Sequence, residues 1–109
     1  RPERRDVGLR RGGDAAGSAV SLSAPTPNPS RADVRFRVGL PSEGEVRVSI
    51  YDASGRRVRN ILDRVLPRGI HLLDWDARDD RGASVPPGIY LLRAETHGVA
   101  RKGKIAIIR

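Results

Sequence analysis

The chain has 109 residues, enough for one domain with a small core. It contains no cysteine, which excludes disulfide frameworks and thiol chemistry, and no apolar run approaches the roughly 20 residues of a membrane helix. The net charge is +8, but the basic residues are dispersed along the chain, a pattern that does not favour specific nucleic-acid binding.

Residues 1–19 differ in composition from the rest of the chain. They are rich in Arg, Gly and Ala, and they show neither helical periodicity nor strand alternation. Such a composition predicts a flexible basic linker, so we expect the folded domain to span 20–109. Because the chain begins with Arg1, we interpret it as the C-terminal piece of a longer protein whose export signal lies upstream or has been removed.

From Val20 onward, apolar residues recur at every second position, which is typical of strands with one buried face. The clearest alternation lies at 33–40. Further strands are predicted at 20–24, 45–52, 56–64, 70–77, 89–96 and 100–109. In the strand at 56–64, Val58 and Ile61 are out of phase by one position, which indicates a bulge or an edge strand. The connections are too short for parallel crossovers, so the pattern predicts an all-β antiparallel sandwich.

The stretch WDARDDRGASVPPGIY at 75–90 concentrates acidic residues between two predicted strands. Asp76, Asp79 and Asp80 precede Gly82 in a spacing that is not that of an EF-hand loop. We therefore favour a structural turn, in which the carboxylates accept backbone N–H groups, over a metal site. Weak calcium binding by the three carboxylates stays an open alternative.

We find no catalytic constellation in the sequence. His71 is predicted near the start of a strand and His97 in a turn, and neither has an evident Ser, Cys or third ligand beside it. Two carboxylates across a cleft, as glycosidases need, are not expected in so small a sandwich. We therefore expect no enzyme activity, no cofactor and no metal.

Trp75 has two interpretations. An exposed Trp could be a carbohydrate-stacking platform, but such platforms use several aromatics, and this chain has only one Trp, one Phe and two Tyr. We favour a core position for Trp75 and Tyr90, because each buries a large apolar area. The residues predicted to form the core and the structural turns are Trp75, Tyr90, Phe36, Ile50, Gly55, Gly82 and Gly88.

Five short motifs occur in a fixed order between about Ala24 and Arg109. They are P-N-P at 27–29, L-P-x-x-G-x-V at 40–46, I-Y-D-x-x-G-R-x-V at 50–58, W-D-x-R-D-D-x-G-x-x-V-P-x-G-I-Y at 75–90 and R-K-x-K-I-x-I-I-R at 101–109. This order resembles the C-terminal sorting domain of type IX (Por) secretion substrates and, equally, the FlgD-like immunoglobulin-like domain. The resemblance implies an immunoglobulin-like β-sandwich of about seven to eight strands. Ala77 departs from it, since the family commonly has Gly there.

The resemblance also implies a non-catalytic targeting module. Its expected partners are an upstream domain of the same polypeptide, the outer-membrane translocation machinery and a sortase-like peptidase acting near the linker. The protein would pass through the periplasm and reach the cell surface or the medium. The flexible linker and terminal position favour this over a retained FlgD-like structural or adhesion module. The candidate recognition strand, whose unfinished edge would pair with a receptor strand, is Lys104, Ile105, Ala106, Ile107, Ile108 and Arg109.

Overall fold

The computed structural model describes residues 19–109, and the linker predicted at 1–19 lies outside the described residues except for its last position. The strands are β1 (Ser21–Leu22), β2 (Val34–Leu40), β3 (Gly44–Tyr51), β4 (Arg57–Leu66), β5 (Gly69–Trp75), β6 (Gly88–Thr96) and β7 (Val99–Ile107). One sheet has the order β1-β2-β5 and the other β4-β3-β6-β7, and all neighbouring strands are antiparallel. The predicted all-β immunoglobulin-like sandwich is thereby confirmed. The described part of the chain contains no helix that could cross a membrane.

The core lies between the two sheets and follows the period of two read from the sequence. In β2 the four apolar residues are buried, whereas Arg35 and Arg37 are exposed on the opposite face. In β6 the inward residues Tyr90, Leu92 and Ala94 are buried in the same way. Burying an aliphatic or aromatic side chain contributes about 1.5–3 kcal/mol, so this interlayer of side chains is the main source of stability.

Strand β4 is both bulged and at a sheet edge. Its pairing with β3 shifts at two places, so Ile61 and Val58 have no directly opposite residue. Both side chains pack against the core. A bulge places an extra residue in one strand, which explains how two apolar residues that are out of phase by one both contact the interior.

Candidate recognition surface

The predicted recognition strand is mostly β7, an outer strand of the four-stranded sheet. Ile105 and Ile107 belong to the core, with 0% and 2% of their surface exposed. Lys104 is exposed on the outer face of the sheet, and Ala106 is half-buried there. The last strand is therefore as much a part of the core as it is a part of the surface.

The outward edge of β7 is not unfinished along its last residues, because the segment around the P-N-P motif occupies it. Asn28 donates through Nδ2 to the carbonyl of Lys104 at 2.7 Å and accepts through Oδ1 from the N–H of Ala106 at 2.9 Å. Ser30 then accepts from the N–H of Ile108 at 2.8 Å and donates its own N–H to the carbonyl of Ala106 at 2.9 Å. An amide side chain offers a donor and an acceptor as a peptide group does, so Asn28 substitutes for a strand residue. Because Asn28 and Ser30 already bond to the edge between Lys104 and Ile108, that part of the edge is not open to a receptor strand. The expectation of an unfinished edge is corrected for these residues.

The residues around Asn28 make hydrogen bonds of their own. Thr26 donates its N–H to the carbonyl of Arg35 at 2.9 Å and accepts from the N–H of Arg35 at 2.7 Å. The Thr26–Pro27 and Asn28–Pro29 peptide bonds are cis. Ser30 is buried, and its hydroxyl donates to the carbonyl of Asp33 at 2.9 Å. The sequence does not reveal this role of the motif, because the two prolines predict only a break in the strand. The signal available is Asn28 between the two prolines, whose side chain supplies a donor that its neighbours lack.

Arg109 joins three parts of the chain that are distant in sequence. Its guanidinium donates to the carbonyl of Arg31 at 3.2 Å and to the carbonyl of Val85 at 2.6 Å. Hydrogen bonds from a charged donor are stronger than those between neutral groups. The end of the recognition segment is thus held against the fold, while Ile108 is 42% exposed.

The acidic stretch at 76–80 shapes a loop that closes the opposite edge of the same sheet. Asp80 donates its N–H to the carbonyl of Val58 at 3.0 Å and accepts through Oδ1 from the N–H of Asn60 at 2.9 Å. Both bonded residues lie in β4, the outer strand on this side. Asp80 therefore covers the edge of β4 as Asn28 covers the edge of β7.

The other carboxylates of the loop also accept backbone N–H groups. Asp79 accepts through Oδ1 from the N–H groups of Arg81 and Ala83, both at 2.9 Å. The hydrogen bond from Ala83 is the main reason that the pKa of Asp79 is lowered from its ordinary value of 3.8. Asp76 accepts from the N–H of Arg78 at 3.1 Å and lies 3.2 Å from the guanidinium of Arg59. Within residues 19–109, no group of three His, Cys, Asp or Glu side chains is placed to hold a metal ion.

Trp75 and Tyr90 meet in the core next to this loop. Their rings are edge-to-face, with centroids 5.4 Å apart, and Trp75 donates through Nε1 to the carbonyl of Arg78 at 2.9 Å. The Tyr90 hydroxyl donates to the carbonyl of Pro86. Burial is the main cause of the raised pKa of Tyr90. With Trp75 only 1% exposed, no face of its ring is open to a sugar.

Turn positions explain one departure from the family motifs. Ala77 has a φ of 60°, a left-handed conformation that costs a residue with a Cβ about 1–2 kcal/mol and costs glycine little. That geometry accounts for the glycine that the family commonly has there. The predicted turn glycines Gly55 and Gly82 have φ of 89° and 86°, while Gly88 is the first residue of β6.

The turn after β3 is built around Asp52. Its Oδ1 accepts from the hydroxyl of Ser54 at 2.6 Å and from the N–H of Arg56 at 3.1 Å. The Ser54 hydroxyl is the main cause of the lowered pKa of Asp52. The turn thus holds its shape through a side-chain acceptor, as the Asp loop does.

The two histidines have different hydrogen-bond partners, and one of them does have a serine beside it. His97 Nε2 lies 3.0 Å from the hydroxyl of Ser42, and its Nδ1 lies 3.0 Å from the hydroxyl of Thr96. The expectation that neither histidine has a neighbouring Ser was therefore wrong. A triad needs a carboxylate at the second ring nitrogen to stabilise the imidazolium, and Thr96 supplies none. His71 Nε2 is hydrogen-bonded to the carbonyl of Pro67 at 2.8 Å.

Comparison with known proteins gives one family and several related folds. A model of the FlgD Ig-like domain matches residues 24–98. Among curated proteins, none matches the chain significantly.

Three solved structures share the fold. PorU from Porphyromonas gingivalis is 25% identical with a TM-score of 0.62, and 84% of this chain aligns with 10% of PorU. PorZ from the same organism, described as an essential surface component of the type-IX secretion system, is 22% identical with a TM-score of 0.56 over 90% of this chain and 12% of PorZ. FlgD from Xanthomonas campestris is 26% identical with a TM-score of 0.56 over 86% of this chain and 70% of FlgD. The chain thus spans about a tenth of the length of PorU and of PorZ.

Proposed function

The chain belongs to the FlgD Ig-like domain family, and on this premise we propose that it is a non-catalytic sorting module that directs an upstream exported protein across the outer membrane by type IX secretion. The observation that carries the proposal is the occurrence of this fold as about a tenth of PorU, at 25% identity. A domain of this type therefore accompanies much larger polypeptides. The ordered motifs from the P-N-P to the last strand support the same role.

The polar side chains of the domain support a role in recognition rather than in catalysis. In the described part of the chain, the Asp carboxylates of the turns accept backbone N–H groups, and both histidines are hydrogen-bonded to hydroxyls or a carbonyl. These groups shape the loops. The module would then act through its surface, with the outer-membrane translocation machinery as its partner and a sortase-like peptidase cutting within 1–19.

A retained structural module is the second candidate, and one specific observation favours it. FlgD from X. campestris, whose report concerns hook capping in flagellar assembly, aligns over 70% of its own length with this chain. Under this alternative the domain would stay attached as a spacer or adhesion module. Both candidates place the domain outside the cytoplasm, in the periplasm in transit or at the cell surface.

The test fuses the 109 residues to the C-terminus of a periplasm-directed fluorescent protein in a bacterium that has a type IX secretion system. Fluorescence at the cell surface and in the medium is measured, together with the mass of the exported product. We expect export that depends on the chain and a product that ends within 1–19. An Arg37→Ser variant is the control: it changes an exposed position of β2 without altering the core, so it should be exported to the same extent.

The outcomes separate the two candidates. An exported product that keeps every residue through Arg109 would favour the retained module. Fluorescence that stays in the periplasm, although the attached domain is folded, would contradict the sorting function. Export that is equal in a strain without the outer-membrane translocation channel would contradict it as well.

A further inference from the structure

The outer face of the four-stranded sheet carries a positively charged groove that none of the roles above uses. Directly opposite residues of antiparallel strands point to the same face. Two adjacent rows across β3, β6 and β7 are Ser49–Arg93–Lys102 and Tyr51–Leu91–Lys104. We call the depression of about 380 Å³ along these rows the cationic groove; it is lined mainly by Tyr51, Ile89, Leu91, Arg93, Lys102 and Lys104.

The floor of the cationic groove is apolar and partly uncovered. Ile89 is 48% exposed, and Leu91 and Tyr51 beside it are half-buried. Apolar surface that is open to water and bordered by charged residues is typical of sites where a partner docks. The groove therefore offers burial to an apolar side chain of a ligand.

The wall of the groove along β7 is cationic. Lys102 and Lys104 are exposed and make no ion pair with any acidic residue in 19–109. The acidic residue that lines the groove, Asp52, already accepts hydrogen bonds from its own turn and lies 3.6 Å from the guanidinium of Arg56. The groove thus has an excess of positive charge, which is complementary to an acidic ligand.

Arg93 contributes less free charge to the groove than the two lysines do. It is directly opposite Ser49 and Lys102, and its Nε lies 3.0 Å from Oε2 of Glu95. This ion pair offsets the charge of the guanidinium and holds Arg93 beside the groove. The positive charge available to a ligand therefore comes mainly from Lys102 and Lys104.

We propose that the cationic groove binds an extended acidic segment of a partner protein, with carboxylates at alternate positions over Lys102 and Lys104 and an apolar side chain over Ile89. Residues two apart in a strand are separated by about 6.8 Å, which is also the spacing of alternate side chains in an extended ligand. The proposal holds whether the domain is removed or retained, so it goes beyond the sorting function.

A peptide fits the groove better than a glycan does. Of the four aromatic residues, Phe36, Trp75 and Tyr90 are buried, which leaves Tyr51 alone on this face. Sugar platforms use aromatic faces, whereas a peptide offers the apolar side chains that the floor at Ile89 and Leu91 can cover.

The test measures binding of a fluorescein-labelled octapeptide, Ser-Glu-Ser-Glu-Ser-Val-Ser-Ser, to the full chain by fluorescence anisotropy at low salt. In this Glu-Val peptide the two Glu and the Val are at alternate positions, so all three side chains point to the same face of the extended ligand. The Lys102→Gln/Lys104→Gln variant is expected to bind about tenfold more weakly, since two ion pairs are lost. The matched control is Arg35→Gln/Arg37→Gln, which removes an exposed cation pair with the same spacing from the outer face of the other sheet. That control should keep the affinity within about twofold.

A second pair of variants tests the apolar contact. Ile89→Ser should weaken binding of the Glu-Val peptide several-fold, whereas Ile70→Ser, at an isoleucine of similar exposure in β5, should not. Equal losses in both double variants would show unspecific attraction to a chain of net charge +8 and would overturn the proposal. Binding of heparin that depends on Lys102 and Lys104, without binding of the peptide, would assign the groove to an acidic glycan instead. Thermal melting of each variant establishes that it is folded.

Discussion

Trp75 joins the core to the loop that follows it. Its ring is buried against Tyr90, and its Nε1 donates to the carbonyl of Arg78, so the same side chain fills the interior and fixes the first turn of the acidic loop. Single residues in this domain often have two structural roles of this kind. Asp80, for example, turns the loop and covers a sheet edge.

Replacing Trp75 by Ala should therefore lower the free energy of unfolding by about 3–5 kcal/mol, because a cavity forms in the core and the hydrogen bond from Nε1 to the carbonyl of Arg78 is lost. Urea unfolding followed by circular dichroism measures this change. Leu72→Ala, in the same strand but at a position 66% exposed, is the control and should change stability by less than about 0.5 kcal/mol. A melting temperature of Trp75→Ala equal to that of the unchanged chain would show that the ring contributes no packing.

Asp79 makes stability depend on pH at the acid end. Its pKa is lowered in the folded state, chiefly by the N–H of Ala83, from an ordinary value of 3.8. The folded state therefore binds fewer protons, and the stability from this group is present above about pH 4 and is lost as pH falls through the folded pKa. In Asp79→Asn the loss of stability between pH 5 and 2 should be smaller than in the unchanged chain.

The measurement is urea unfolding at intervals of pH. Glu45→Gln is the control, because Glu45 is exposed and accepts no hydrogen bond within the described residues. Its pH profile should keep the acid slope. An unchanged slope in Asp79→Asn would mean that the backbone N–H groups do not favour the charged carboxylate.

At the scale of elements, each outer strand of the four-stranded sheet is covered by a residue that bonds to it as a further strand would, Asn28 through its side chain and Asp80 through its backbone N–H and its carboxylate. Asn28 does so on β7 and Asp80 on β4, each with a donor and an acceptor from one residue. Uncovered strand edges pair with other chains and promote aggregation. The P-N-P motif and the D-D pair of the acidic loop therefore have the same physical task at opposite edges.

Asn28→Ala should expose the carbonyl of Lys104 and the N–H of Ala106 and lower stability by about 1–3 kcal/mol. Asn28→Asp keeps the acceptor for Ala106 but loses the donor to Lys104, so its loss should be smaller. Amide hydrogen exchange of Ala106 reports the edge directly and should accelerate in Asn28→Ala more than in Asn28→Asp. Protection of Ala106 that is unchanged in both variants would contradict the covering role of Asn28.

At the scale of the whole molecule, the last strand is inseparable from the core. Ile105 and Ile107 are among the most buried side chains, and β7 pairs with β6 along its full length. Losing two such residues costs about 4–10 kcal/mol, comparable to the total stability of a small domain. Any signal in this segment is therefore presented by a folded sandwich, not by a detachable tail.

A chain truncated before Ile105 should show no cooperative unfolding transition. The control lacks only Arg109, which removes the hydrogen bonds to the carbonyls of Arg31 and Val85, and it should unfold cooperatively with a modest loss of stability. Thermal unfolding followed by circular dichroism distinguishes the two. A cooperative transition in the shorter chain would show that β7 is dispensable for the fold.

Much of the fold could be predicted from the sequence, but less of the recognition surface could, because local patterns specify which residues are buried and not which distant segments meet. The burial of Val34, Phe36 and Leu92 follows from alternation within single strands, and the bulges in β4 follow from Val58 and Ile61 being out of phase. The covering of β7 by Asn28 joins residues 76 and 78 apart in sequence, and no local pattern specifies such a contact.

The sequence by itself determined the strands, their buried faces, the turns and the family motifs, because each depends on residues that are neighbours in the chain. Only the tertiary structure decided which edges are open, that Ser42 meets His97, and that Tyr51, Arg93, Lys102 and Lys104 lie on one face. These depend on strand register and on sheet order, which the free energy of the whole core sets rather than any one segment.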